Sequence, residues 1–109
     1  MKENEILIKG KASDSEIQAW KARSRKVYEV IIEDDGEKFA AYFKRPDMDV
    51  FSAVNKLSKT DEVKAAGILF DACLLGCAQE VKEDSILKMS AIAQLKNIMA
   101  VKSAELKNL

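Results

Sequence analysis

Two runs rich in β-branched and aromatic residues, KVYEVIIED over 26–34 and EKFAAYFK over 37–44, flank the dipeptide Asp35-Gly36. Asp-Gly favours positive φ at both central positions of a two-residue turn, so the pair predicts a β-hairpin. Centring the turn there sets Glu33 opposite Lys38, Ile32 opposite Phe39, Val30 opposite Ala41 and Tyr28 opposite Phe43. Tyr28, Val30, Ile32, Phe39, Ala41 and Phe43 then share one face. Glu29, Glu33, Lys38 and Lys44 take the other, with Val27, Ile31, Ala40 and Tyr42 between them. A slip of one residue would scatter both sets, so turn chemistry and hydrophobic pattern agree independently.

Before the hairpin, the only apolar run in residues 1–12 is Ile6-Leu7-Ile8, which leaves two alternatives open: a short third strand or a mobile arm. Ser13 and Glu16 have capping-box spacing and predict a helix over 14–25. That helix turns Ile17, Trp20 and Ala22 toward the hairpin. Its basic end, Lys21, Arg23, Arg25 and Lys26, is what the helix dipole favours, and needs no ligand to explain it.

After the hairpin, Pro46 cannot donate to a strand ladder and Asp47 can cap a helix. Val50, Phe51, Val54 and Leu57 recur at helical spacing, and 58–60 breaks that helix, with Ser58 or Thr60 available to cap the next. Residues 61–81, DEVKAAGILFDACLLGCAQEV, are apolar on more than one face and predict a buried central helix. Within it, Gly67 and Gly76 mark close helix contact or, for Gly76, the approach to the helix end. Asp84-Ser85 caps the last and longest predicted helix, 85–106. There Ile92, Leu95, Met99 and Leu106 lie near a seven-residue repeat, and Leu87, Ile98 and Val101 widen the stripe beyond a coiled-coil seam. One face packs on the central helix and part of the rest is left for another surface.

The predicted fold class is therefore α+β: a β-hairpin packed against about four helices, with a helical C-terminal half. The 109 residues form one domain, with an arm or strand over 1–12, helix and hairpin over 13–46, and a three-helix part over 47–109. Eighteen basic and 18 acidic side chains give a net charge of zero, which argues against broad nucleic-acid binding. No apolar run is long enough to cross a bilayer, and the first apolar segment is too short for a secretory signal, so the expected location is the cytoplasm.

Histidine is absent, which removes the commonest general base and imidazole ligand together. On one helix, Cys73 and Cys77 would place both sulfurs on the same face. Two thiolates are too few for a structural zinc site, however, and the expectation is a pair of reduced core thiols. Asp34, Asp35 and Glu37 gather at the hairpin tip as a solvated turn, without the regular ligand spacing of a calcium loop. Lys26, Lys44 and Arg45 meet beside Tyr28, Tyr42 and Phe43 at the hairpin root. A nucleic-acid stacking platform is conceivable there, but Tyr28 and Phe43 are needed to hold the helices. No phosphate loop, nucleophile elbow or acid–base pair is present, so the chain is expected to be non-enzymatic, with no catalytic, cofactor or metal residues.

Taken in order, a capped helix, KVYEVIIEDDGEKFAAYFKRP and three helices ending in AQLKNIMAVKSAELKNL resemble the small tail assembly chaperones of long-tailed bacteriophages and prophages. The residues that carry the resemblance are Lys26, Val27 and Tyr28 entering the hairpin and Tyr42, Phe43, Lys44, Arg45 and Pro46 leaving it. GILFDACLLG and the lysine-rich ending add weaker support. The resemblance implies a protein that holds the tape measure protein, the tail tube protein or both in the bacterial host cytoplasm and is absent from the finished virion. Such a protein needs an adaptable apolar surface, for which methionine is suited. The expected client-binding surface is Met48, Met89, Ile92, Ile98, Met99 and Val101. The same methionines would also serve a core or a homo-oligomer seam, and the alternative function is a self-associating structural or regulatory module unrelated to tails. No nucleic-acid or membrane partner is expected.

Overall fold

The turn at Asp35-Gly36 forms as its chemistry requires, with φ of 52° at Asp35 and 82° at Gly36. The computed structural model describes residues 7–109. Strands β2 (Val27–Asp34) and β3 (Glu37–Lys44) pair antiparallel in the predicted register, from Asp34 opposite Glu37 to Val27 opposite Lys44. Val30, Ile32, Phe39, Ala41 and Phe43 join the main core, as the alternation predicted, whereas Tyr28, expected on the same face to help hold the helices, is only half-buried and lies outside that core.

Strand β3 is the centre of a four-stranded mixed sheet. Along one edge it pairs with β2. Along the other, β1 (Ile8–Lys9) lies parallel to its first half and β4 (Leu74–Cys77) antiparallel to its second. Of the two alternatives for the N-terminal run, the strand is therefore present at Ile8, whereas Leu7 is exposed and Ile6 lies outside the described residues. Covered on both faces, Phe39 to Phe43 are all buried.

One face of the sheet carries helix α1 (Asp14–Arg23), which starts at the predicted capping box. The Glu16 amide donates to Ser13 Oγ at 3.2 Å, and the Ser13 amide donates to Glu16 Oε1 at 3.0 Å. Helix α1 has no buried residue of its own. Ile17 and Trp20 pack on a small cluster of Ala12, Ala40 and Tyr42, while Ala22 stays in solvent and the helix ends at Arg23. The face predicted as the more polar one thus has its own small core.

On the opposite face lie α2 (Met48–Ser58), α3 (Glu62–Cys73) and α5 (Ser85–Ile98), with the short α4 (Gln79–Glu83) leading into α5. Asp47 caps α2 through the Val50 amide at 2.9 Å, and Asp84 caps α5 through the amides of Ile86 and Leu87. Helix α3 is capped by Asp61, not by Ser58 or Thr60. Those two hydroxyls instead donate back to the carbonyls of Asn55 and Leu57 at the end of α2. Phe43 meets Phe70 edge-on, with centroids 5.6 Å apart, and ties the sheet to α3.

Three expectations are corrected. First, residues 61–81 are not one helix. Helix α3 stops at Cys73, Leu74 turns extended (φ −68°, ψ 128°), and Leu74–Cys77 becomes β4, so the part after residue 47 holds four helices and a strand. A run that is apolar all round suits a buried strand as well as a buried helix. The open edge of β3, whose backbone groups need partners, decides between them. Cys73 and Cys77 consequently sit on different elements, both as free thiols, one buried and one half-buried. Second, Gly76 marks neither a helix contact nor a helix end. It is a strand residue whose missing side chain leaves room for Trp20, 3.2 Å from where a Cβ would stand; at Gly67 nothing lies within 4 Å.

Third, the last helix ends at Ile98, and 100–109 are exposed and without regular structure. No glycine or proline interrupts that stretch. The helix stops where it runs out of a surface to pack on, since packing supplies most of a helix's stability in water.

A candidate docking groove on the helical face

Helices α2 and α3 form an antiparallel hairpin, and α5 lies beside it across the sheet. The three do not close completely. Between them runs a groove of about 500 Å³, within the size range of a ligand site. Its floor is core: Val54, Ala65 and Ile92 are buried. Its walls are apolar and open, with Val63 on α3 73% exposed and Met89 on α5 45% exposed, and with Ala66, Ala93 and Met99 between them. Polar groups are confined to the rim, where Lys96 of α5 reaches Glu62 of α3 at 3.7 Å and Asn55 and Ser58 edge α2.

The six residues expected to bind a client divide. Met89 and Met99 line the groove, and Ile92 does so only as its buried floor, 2% exposed. Ile92 is therefore a core residue and not part of an open surface. Ile98 is half-buried against the main core. Met48 is exposed at the start of α2, away from the groove, and Val101 lies past the end of α5. The wall residues Val63, Ala66 and Ala93 were missed. Val63 and Ala66 are three apart in a stretch whose apolar residues all looked internal, so the sequence carried no mark that one stripe stays open.

At the hairpin root, Arg45 Nε donates to the Tyr28 hydroxyl at 2.8 Å, and its guanidinium stands 6.0 Å from the same ring. Tyr42 and Phe43 are buried, so two of the three aromatics of the conceivable stacking platform are unavailable to a base. The Tyr42 hydroxyl donates to Glu29 at 2.7 Å and accepts from the Ala12 amide at 3.1 Å, and Lys11 meets the same carboxylate at 2.7 Å. Lys11 and then Tyr42 hold the Glu29 carboxyl below its ordinary range, while burial first, and then Glu29, push the phenol up.

A second concavity, of about 340 Å³, is edged by Asp34, Glu37, Glu80, Glu83 and Asp84. Lys9 pairs with two of these carboxylates, 2.7 Å from Glu37 and 3.5 Å from Glu80, and Asp84 is engaged in capping α5. Among the described residues no three His, Cys, Asp or Glu side chains stand close enough to hold a metal ion. Burial pushes the Cys73 thiol up to about 11 and raises Cys77 as well, which leaves both poor nucleophiles near neutral pH. No helix of the described residues is long and apolar enough to cross a membrane.

No family model matches the chain, and no curated protein matches it. The solved structure of an uncharacterised protein of Bacillus stearothermophilus is similar in fold, with a TM-score of 0.59 at 21% identity over 84% of this chain and 99% of that one.

Proposed function

We propose that the chain is a phage tail assembly chaperone that shelters apolar helical segments of the tape measure protein, the tail tube protein or both in the host cytoplasm, and leaves before the virion is complete. The observation that carries this reading is the open groove between α2, α3 and α5, with an apolar floor, methionine and small side chains on its walls and charge only at its rim. An amphipathic helix laid in such a groove buries its apolar stripe without requiring a fixed sequence, because methionine repacks readily. A client that must be handed on calls for modest affinity, and an open groove supplies less buried area than a closed interface. The reading needs no catalytic group.

The resemblance in the hairpin and its exits supplies the identity of the client; the groove supplies only the chemistry. Co-expression with the tape measure and tail tube genes expected beside this one, followed by affinity purification, tests it. Recovery of the tape measure or tail tube protein with the chain supports the proposal. A stable homodimer that recovers neither favours the self-associating module, for which the exposed apolar side chains of residues 100–109 are the supporting feature.

A further inference from the structure

The groove and the end of α5 share a residue: Met99, the C-cap of α5, lines the groove, and the chain leaves from it as an exposed tail over 100–109. Val101 and Leu106 in that tail are 91% and 99% exposed, and Leu109 is wholly in solvent. Three large apolar side chains thus stand in water on a tether rooted at the edge of an open apolar groove. The radius of gyration is 16.1 Å, against about 13 Å for a compact domain of this length.

Reach and charge both fit a return. Along α5 the groove runs from Met89 to Met99, about 15 Å of helix. After a reversal over 100–102, the seven residues 103–109 span about 23 Å when extended. Leu106 is flanked by Glu105 and Lys107, opposite in sign to Lys96 and Glu62 of the groove's rim, whose own contact at 3.7 Å is long and solvent-exposed and so is open to exchange.

We propose that residues 100–109 are the groove's resting occupant within the same chain, with Leu106 and Leu109 seated against Met89 and Met99, and that a client helix must displace them. The arrangement in the structure is the released one. A short tether keeps the tail at an effective concentration of about millimolar, so a weak intramolecular contact keeps the groove covered and helps to expel a client on hand-over. The inference rests on reading the groove as a docking surface, but its test involves no client.

The full chain, labelled with ¹³C at the methionine methyls, is compared with the Leu106→Asp/Leu109→Asp chain by NMR over a wide dilution series. Both substituted residues are outside the core, so the fold is retained. The expected result is a shift of the Met89 and Met99 methyl signals on substitution, independent of protein concentration, with Met48 unmoved because it lies off the groove. An unmoved Met89 signal overturns the proposal. So does a shift that disappears on dilution, which would make the occupant the tail of a second copy. A client that binds a chain with unmoved methyls would keep the docking surface and remove only the tail.

Discussion

The rings of Trp20 and Tyr42 lie 5.2 Å apart, inclined by 36°, and the same indole fills the space left by the missing side chain of Gly76. Helix α1, which buries nothing fully, is held to the sheet through this contact together with Ile17. The stack also explains why a glycine sits inside β4.

Gly76→Val places branched methyls where the indole rests. The expected outcome is a loss of about 1–3 kcal/mol of stability, as for other overpacked sites. Because Trp20 is the only tryptophan, its fluorescence should also move to longer wavelength. Unchanged emission in the folded variant would show that α1 is not seated on β4.

Tyr42→Phe removes the acceptor of the Ala12 amide and the donor to Glu29. Leaving a buried amide unsatisfied costs about 1–3 kcal/mol. The pH dependence follows from the shifts. The folded Glu29 carboxyl lies below its ordinary 4.5, so its contribution is present above that value and is lost as pH falls through the folded pKa. The folded Tyr42 phenol lies above its ordinary 10.0, so its contribution is present below that value and is lost as pH rises through the folded pKa. Chemical denaturation across pH should therefore show a plateau between these limits, with the acid limb shallower in Glu29→Gln and the alkaline limb shallower in Tyr42→Phe.

At the hairpin tip, Gly36→Val forces a β-branched residue to φ near 82°. The expected cost is at least about 1–2 kcal/mol, a fall of several degrees in Tm for a domain of this size. An unchanged melting curve would place the turn elsewhere.

The hairpin, its register and most of the caps were legible because each is decided within a few residues: Asp35-Gly36 sets the turn, and Ser13, Asp47 and Asp84 reach amides two or three positions on. Strand β4 was not legible. LLGC is equally apolar to a helix and to a buried strand, and the choice rests with β3, some 30 residues away in sequence. The end of α5 is not legible for a related reason. AVKSAELKNL has no breaker, so its departure from the helix reflects missing packing, which a one-dimensional pattern does not record. For the groove, two of the residues the sequence pointed to, Met89 and Met99, are among those that line it. The sequence placed Ile92 on the surface because a stripe gives a direction around a helix but not the depth at which each residue sits. Val63 looked like core for the converse reason.

The central claim is that the open groove is where a client helix is held. The most direct test measures the affinity of the tape measure and tail tube proteins for the wild-type chain and for Val63→Asp/Met89→Lys, which changes two exposed wall residues and leaves the buried floor of Val54, Ala65 and Ile92 intact. A desolvated wall that gains two charges should bind an apolar helix at least about tenfold more weakly, with the melting curve essentially unchanged. Equal binding by the two chains, or binding of neither client by the wild type, would contradict it.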